Sequence, residues 1–198
     1  HVNVPYDPDI FRVPVGPGAM HVDRFGYGGA AVLLVHGFGT SSFLWRRVGP
    51  MLAVRQCSAY AVDLFGYGES DRPFDAEFGV RAQSDYLDRA LTALQVPRVA
   101  VVGLDVGAIV AMAIASDRRD RVSQLVMIGP PPLDDIQGAA IRDLQRETAR
   151  YALRLSRGLF GASSLLTPFL EESVESPDRM PSLLIGRYLA PFLGRDGA

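Results

Sequence analysis

The sequence predicts an α/β fold, built on a doubly wound, mostly parallel sheet. Three observations predict it: short, nearly continuous apolar segments recur between residues 30 and 128, helical patterns alternate with them, and glycine-rich turns follow them. Continuous apolar segments are typical of strands buried on both faces. The 198 residues, 48% hydrophobic and 21% charged, are enough for one ordinary domain.

The first predicted element is a hairpin. Residues 10–15 and 19–25 alternate between apolar and polar side chains around Gly16-Pro17-Gly18, which is typical of a half-exposed antiparallel pair. Four buried strands and three helices are then expected in alternation: strands 30–35, 59–62, 99–103 and 124–128, and helices 42–54, 80–94 and 106–116. Because ligands of such sheets bind at the carboxyl ends of the strands, catalytic loops are expected there.

The pattern changes after Gly129-Pro130-Pro131-Pro132. Residues 136–157 predict one long amphipathic helix, and residues 163–192 predict short helices interrupted by prolines. No further buried strand is expected. We therefore predict two parts: residues 1–132 form the amino-terminal part of the sheet-containing core, and residues 133–198 form a helical segment.

Composition excludes several classes of protein. All 20 basic residues are arginine, so the chain supplies neither a Schiff-base lysine nor the lysine of a P-loop. The net charge of −2 with scattered arginines offers no stripe for nucleic acid. Cys57 cannot form an internal disulfide, and His1, His21 and His36 are not spaced as metal ligands. With no export or membrane-spanning segment evident, we expect a cytoplasmic protein without metal or cofactor.

The sharpest motif is Gly103-Leu104-Asp105-Val106-Gly107, between the 99–103 strand and a helix of small residues. It has the form of a nucleophile elbow, in which two glycines let strand and helix approach closely while one side chain is presented on a strained turn. A carboxylate at a helix N-terminus is held ionised by the helix dipole and by free N–H groups, so Asp105 is available as a nucleophile. The alternative is that Asp105 is only an N-cap.

A second motif, His36-Gly37-Phe38-Gly39, follows the 30–35 strand. The backbone N–H groups of Phe38 and Val106 are the expected donors of an oxyanion hole. We expect His36 to orient this loop by hydrogen bonding and not to act as the general base.

The glycine turn of this motif and the nearby Trp45 each have a competing interpretation. Gly37-Phe38-Gly39 also fits the start of a dinucleotide-binding fingerprint, although Ser42 occupies the third glycine position of that fingerprint. Trp45 is predicted to pack in the core at the start of its helix, and a halide ligand is the alternative. Phe38 is predicted to line a pocket.

These motifs, together with the glycine-rich loop 63–73, occur in the order and spacing of the α/β-hydrolase superfamily, which the sequence resembles over essentially its whole length. Aspartate in the elbow resembles the branch of epoxide hydrolases and haloalkane or haloacetate dehalogenases. The resemblance implies that Asp105 attacks an sp³ carbon, and that a histidine-activated water hydrolyses the resulting ester. It also implies that residues 133–198 are a helical cap and that loop 63–73 shapes a turn beside the site.

Within that branch, haloalkane dehalogenases carry tryptophan after the nucleophile and haloacetate dehalogenases carry arginine, so Val106 favours an epoxide as substrate. Epoxide hydrolases use cap tyrosines to hydrogen-bond the epoxide oxygen. Tyr151, which lies 46 residues after Asp105, is the first candidate and Tyr188 the second. Tyr151 packing on the apolar face of its helix is the alternative. Three other positions depart from the residues common in the branch: Leu104, Ala108 and Gly39.

In that superfamily the base and its acidic partner come from core strands after the cap, and those strands are absent from these residues. No histidine follows His36. We therefore expect a second polypeptide that completes the hydrolase core and covers its sheet edge. The alternative function is a non-hydrolytic scaffold that binds or rearranges a small apolar ligand, and a third interpretation is a truncated chain.

Overall fold

The computed structural model describes residues 7–134, 167–168, 170–172 and 174–192. The backbone separates into two compact units, His1–Pro131 and Pro132–Ala198. In the part of the chain that the model describes, no helix is long and apolar enough to cross a membrane.

The first unit is built on a six-stranded sheet. Its strands are β1 (Asp9–Pro14), β2 (Ala19–Phe25), β3 (Ala31–Val35), β4 (Ser58–Val62), β5 (Val99–Leu104) and β6 (Val122–Ile128). They lie in the order β1-β2-β4-β3-β5-β6. The pairs β1–β2 and β2–β4 are antiparallel, whereas β3–β4, β3–β5 and β5–β6 are parallel. The predicted hairpin and the predicted parallel strands are therefore confirmed.

Three α-helices lie between the strands of the first unit: α1 (Val48–Val54), α2 (Val80–Ala93) and α3 (Val106–Asp117). The predicted helices 80–94 and 106–116 are confirmed to within one residue. The predicted helix 42–54 is instead a 3₁₀ turn, Ser42–Trp45, followed by α1. Pro50 explains the break, because it has no N–H and its ring clashes with the carbonyl four residues earlier, at Arg46.

The core covers both faces of the sheet, and β3 lies between its two halves. Leu33 of β3 packs in a large cluster with residues of α2 and α3, such as Leu87 and Ile114. Leu34, the next residue, packs on the opposite face in a smaller cluster that includes Trp45. Neighbouring residues of a strand face opposite sides, so a continuous apolar strand is what this two-sided burial requires.

β6 differs from its prediction. A strand at 124–128 is confirmed, but its burial on both faces is wrong, because Leu125, Val126 and Ile128 are 37%, 47% and 42% exposed. β6 is the last strand of the sheet and pairs only with β5. An edge strand is buried on both faces only if further elements pack against it. Among the described residues, none packs over these three side chains closely enough to bury them.

The second unit is described over a shorter range. Its described residues include one helix, Ser182–Leu189, between the 3₁₀ turns Pro177–Arg179 and Ala190–Phe192. The helix begins directly after Pro181, as the proline pattern predicts. The predicted helix 136–157 lies outside the described residues.

Candidate active site

Three loops meet at the carboxyl edge of the parallel strands. Residues 36–42 follow β3, residues 63–73 follow β4, and the turn at Asp105 follows β5. The Leu64 N–H donates to Nε2 of His36 at 3.0 Å, and the Phe38 N–H donates to Oδ2 of Asp105 at 2.9 Å. Each loop is therefore hydrogen-bonded to a neighbouring loop.

Asp105 adopts a backbone conformation that non-glycine residues rarely adopt. Its φ is 55° and its ψ is −126°, and α3 begins at the next residue. Such a conformation costs about 1–3 kcal/mol and persists where the surrounding structure imposes it. Here the Asp105 N–H donates to the carbonyl of Ile128 at 3.0 Å, and the Ala108 N–H donates to the carbonyl of Asp105 at 2.9 Å.

The two glycines of the elbow permit close approach of three backbone segments. A Cβ added at Gly103 would lie 2.3 Å from the Gly107 carbonyl oxygen, and one added at Gly107 would lie 2.2 Å from the His36 carbonyl oxygen. Both distances are far below van der Waals contact, and the obstructing atoms are backbone atoms. The spacing of these glycines is therefore a requirement of packing between β5, α3 and the end of β3.

The two predicted oxyanion donors belong to residues that border the Asp105 carboxylate, one in space and one in sequence. The Phe38 N–H is hydrogen-bonded to it, and Val106 is the first residue of α3, where N–H groups have no acceptor within the helix. Gly37 lets the Phe38 loop approach, since a Cβ there would lie 2.9 Å from Leu104 and 3.0 Å from the Asp105 Cβ. Gly39, at φ +66°, turns the chain after Phe38.

His36 is fully buried and both of its ring nitrogens contact backbone groups. Because the Leu64 N–H can only donate, Nε2 is the acceptor and Nδ1 carries the hydrogen, which it donates to the Gly37 carbonyl at 2.8 Å. Burial lowers the pKa of His36, against the opposing effect of the Asp63 charge. The ring is therefore neutral, and it joins loop 36–42 to loop 63–73.

Tyr67 is a residue of this site that the sequence analysis did not identify. Its ring meets the His36 ring edge-on, with the centroids 5.2 Å apart and the planes at 62°. Burial raises the pKa of the Tyr67 phenol, and the negative charge of Asp105 raises it further. The available signal was an aromatic residue between Gly66 and Gly68, in a loop that follows a parallel strand beside β3.

We expect the substitution Asp105→Asn to lower the pKa of Tyr67, because it removes the negative charge that disfavours the phenolate. Tyrosine-ring NMR over a pH titration measures this, with a wild-type value above about 10. Asp117→Asn is the matched control, since it removes a charge at the far end of α3, about 18 Å away along the axis. Equal pKa values in Asp105→Asn and wild type would show that the two groups do not interact.

The remaining predicted site residues lie in three places. Leu104 and Trp45 pack in the smaller core cluster, and the Trp45 indole N–H is buried without a hydrogen-bond partner among the described residues. Tyr188 lies in helix Ser182–Leu189 of the second unit, where it is buried. Tyr151 lies outside the described residues.

The geometry suits attack by a carboxylate. Asp105 is presented at the N-terminus of α3, on a turn that backbone hydrogen bonds with Ile128 and Ala108 hold in place. The Phe38 N–H is placed to polarise an acyl oxygen formed on that carboxylate. The second predicted donor, the Val106 N–H, belongs to the first residue of α3. Neutral His36, with both ring nitrogens in hydrogen bonds to backbone, is not available as a base.

Comparison with known proteins identifies relatives with the same fold as the one described above. The family model described as alpha/beta hydrolase fold matches residues 30–187. A haloalkane dehalogenase of Mesorhizobium japonicum is 34% identical over 122 residues, which are 61% of this chain and 38% of that protein. The structure of the epoxide hydrolase CorEH covers 96% of this chain and 69% of its own, at 24% identity and a TM-score of 0.81.

A further solved structure, the haloalkane dehalogenase DatA from Agrobacterium tumefaciens C58, covers 93% of this chain and 62% of its own, with a TM-score of 0.66 and 26% identity. The chain spans only 30% to 46% of the length of the curated relatives it matches. The matched family model covers most of the chain, including the elbow, the Phe38 loop and strands β3 to β6. The chain therefore belongs to the alpha/beta-hydrolase family.

Proposed function

We propose that the complete protein is a hydrolase that attacks an sp³ carbon through a covalent aspartyl ester, with an epoxide as the first substrate class and a carbon–halogen bond as the second. The observation that carries this proposal is the Asp105 carboxylate, held on a strained turn with the Phe38 N–H 2.9 Å from Oδ2. The likeness to a haloalkane dehalogenase and to the fold of an epoxide hydrolase supports it.

In the first step a carboxylate oxygen of Asp105 forms a bond to the epoxide carbon, and the carbon–oxygen bond of the ring breaks. The alkoxide takes a proton from a donor, for which Tyr151 is the first candidate and Tyr188 the second. In the second step water attacks the ester carbonyl carbon while the Phe38 and Val106 N–H groups hold the oxyanion. The products are a diol and the regenerated carboxylate.

The second step needs a general base, which we propose comes with its acidic partner from a second polypeptide. The apolar side chains of β6, which are exposed at the sheet edge among the described residues, support this. A polypeptide that pairs with β6 would cover this edge. In the same proposal residues 133–198 form the cap, and the protein is cytoplasmic.

A single-turnover reaction in oxygen-18 water tests the covalent route. The complete protein is mixed in molar excess with styrene oxide, and the diol and the peptide that contains Asp105 are analysed by mass spectrometry. The covalent route leaves an unlabelled Asp105 oxygen in the first diol and puts the heavy oxygen into the Asp105 carboxylate. Heavy oxygen in the first diol, with an unlabelled Asp105, would instead show direct attack by water.

The second candidate function is a non-hydrolytic scaffold that binds or rearranges a small apolar ligand. It is favoured by the neutral, backbone-bonded state of His36, which leaves Asp105 without a base among the described residues. Calorimetric titration with a slowly reacting apolar epoxide separates the two functions. A scaffold keeps its affinity within a few-fold in Asp105→Asn and releases no diol from any variant.

A further inference from the structure

A second group of buried polar side chains lies at the same edge of the sheet and has no part in the proposed chemistry. It consists of buried His21 and partly buried Asp23 of β2, with buried Ser42 at the start of the 3₁₀ turn and buried Asp63 directly after β4. His21 is 8% exposed, Ser42 5% and Asp63 1%. Buried ionisable groups of this kind need hydrogen-bonded partners to be tolerated.

The hydrogen bonds form one continuous chain. Nε2 of His21 lies 2.9 Å from Oδ1 of Asp23, and the Ser42 hydroxyl donates to Oδ2 of Asp23 at 2.9 Å. The Ser42 N–H donates to Oδ1 of Asp63 at 2.5 Å. Two carboxylates therefore hold Ser42, one by its hydroxyl and one by its backbone.

Ser42 ends the loop that presents the Phe38 N–H to Asp105. The opposite end of this loop is fixed by the hydrogen bonds of His36. The loop therefore has two anchors, of which only one, His36, had been expected from the sequence. The Ser42 anchor lies only four residues from the Phe38 backbone donor.

The same group also fixes loop 63–73. The His21 N–H donates to the Ser70 hydroxyl oxygen at 2.9 Å, and that hydroxyl donates to the Asp63 carbonyl at 2.7 Å. The Glu69 N–H donates to Oδ2 of Asp63 at 2.7 Å. His21 therefore contacts loop 63–73 directly and is linked to Ser42 of loop 36–42 through Asp23.

The charges around His21 favour its protonated form. Burial of the ring opposes protonation, but the hydrogen bond with Asp23 and the negative charges of Asp63, Asp23 and Glu69 outweigh it and raise the pKa of His21. Across the hairpin, β1 places Arg12 opposite His21, and its guanidinium is bonded to Asp71 and to the Glu69 carbonyl. The nearest positive charge on β1 thus has its own partners.

We propose that protonated His21 and Asp23 are a positioning pair for the candidate nucleophile, because they fix Ser42 and with it the loop that aims the Phe38 N–H at Asp105. The expected effect of this pair on kcat rests on the proposed function, whereas its expected effect on the order of the Phe38 loop does not. Deprotonation of His21 replaces an ion pair with a hydrogen bond from a neutral ring to the same carboxylate, so His21 holds Asp23 less firmly once it loses its proton.

The direction of the pH dependence follows from the raised pKa. The stabilising contribution of His21 is fully present below its unfolded-state pKa of about 6.5 and is lost as the pH rises through the higher folded-state pKa. The Phe38 loop is thus expected to be best ordered on the acidic side of that folded-state pKa. Above it, the neutral ring still hydrogen-bonds Asp23 but holds Ser42 less firmly.

NMR of the complete, isotopically labelled protein tests this. We expect the His21 ring signals and the amide signals of Ser42 and Phe38 to titrate with one shared midpoint above 6.5 in the wild type. In His21→Gln, which keeps a donor nitrogen at the Nε2 position but cannot ionise, the amide titration is lost. Amide signals that do not follow the His21 ring in the wild type would overturn the proposal, with no variant needed.

Turnover gives the second measurement. We expect kcat of the wild type to fall about threefold as the pH rises through the His21 midpoint, with KM unchanged, and this change to be absent from His21→Gln. Asp9→Asn is the control, since Asp9 contacts Arg24 and Tyr27 instead. If the amides titrate as expected but no epoxide is hydrolysed, the proposed function fails and the positioning pair stands. If the amides do not titrate, the positioning pair fails whatever the turnover.

Discussion

Replacing Asp105 with asparagine is expected to lower kcat toward an epoxide by a factor of about a thousand or more, because the neutral amide cannot form the ester. Asparagine has nearly the same shape as aspartate. It therefore fits the same space on the turn at φ 55°, which is expected to stay folded. Steady-state kinetics of the complete protein with styrene oxide measures the effect.

Asp117→Asn provides the comparison, since it makes the same chemical change at the exposed carboxyl end of α3. Its kcat is expected to equal that of the wild type. Circular dichroism of both variants shows whether the fold is kept. A well-folded Asp105→Asn enzyme that turns over an epoxide within tenfold of the wild type would rule out the covalent route.

The substitution Gly107→Ala is expected to destabilise the first unit by about 3 kcal/mol or more. The new Cβ would lie 2.2 Å from the His36 carbonyl oxygen and 2.7 Å from the Val35 carbonyl oxygen. Both are backbone atoms of the central strand and its loop, so relief requires movement of α3 away from the sheet. The same movement withdraws Asp105 from the Phe38 N–H, so activity is expected to fall with stability.

Gly79→Ala is the matched control in the same unit. Gly79 precedes α2 at φ −66°, and nothing lies within 4 Å of a Cβ added there. Because alanine is a poorer N-cap than glycine, its cost in free energy of unfolding is expected to be about 1 kcal/mol or less, well below that of Gly107→Ala. Thermal unfolding of the two variants and the wild type provides the comparison. Equal melting temperatures for Gly107→Ala and Gly79→Ala would contradict the packing described for the elbow.

The sequence was informative where the structure depends on local pattern. Continuous apolar segments predicted β3 and β5, and glycine spacing predicted the turn at Asp105, because burial on two faces and close backbone approach each demand particular residue types. The sequence pattern was insufficient where the burial of a strand depends on the elements that pack beside it. β6 has the same composition as a buried strand, yet its exposure is decided by what lies beyond it.

In the candidate site, too, local sequence pattern predicted some residues, whereas others depend on how distant segments pack together. His36 could be expected to orient its loop, since it directly precedes a glycine turn. Tyr67 lies in loop 63–73, which the resemblance places beside the site, but no motif singles out its side chain. The residues of the His21–Asp23 pair could not be assigned to this site from the sequence, because they lie on a strand distant in sequence from Asp105. Only the order of strands in the sheet brings them to one edge. Residue spacing carries no information about that order.

The backbone at Asp105 also bears on attempts to engineer a more robust protein. Glycine adopts φ 55° and ψ −126° without the steric penalty of a side chain, so ranking substitutions by folding energy alone favours glycine at this position. The conformation that presents the carboxylate is thus maintained at a thermodynamic disadvantage of about 1–3 kcal/mol. Stability and activity are in conflict at this residue, and a design that improves melting temperature by relaxing the turn removes the nucleophile.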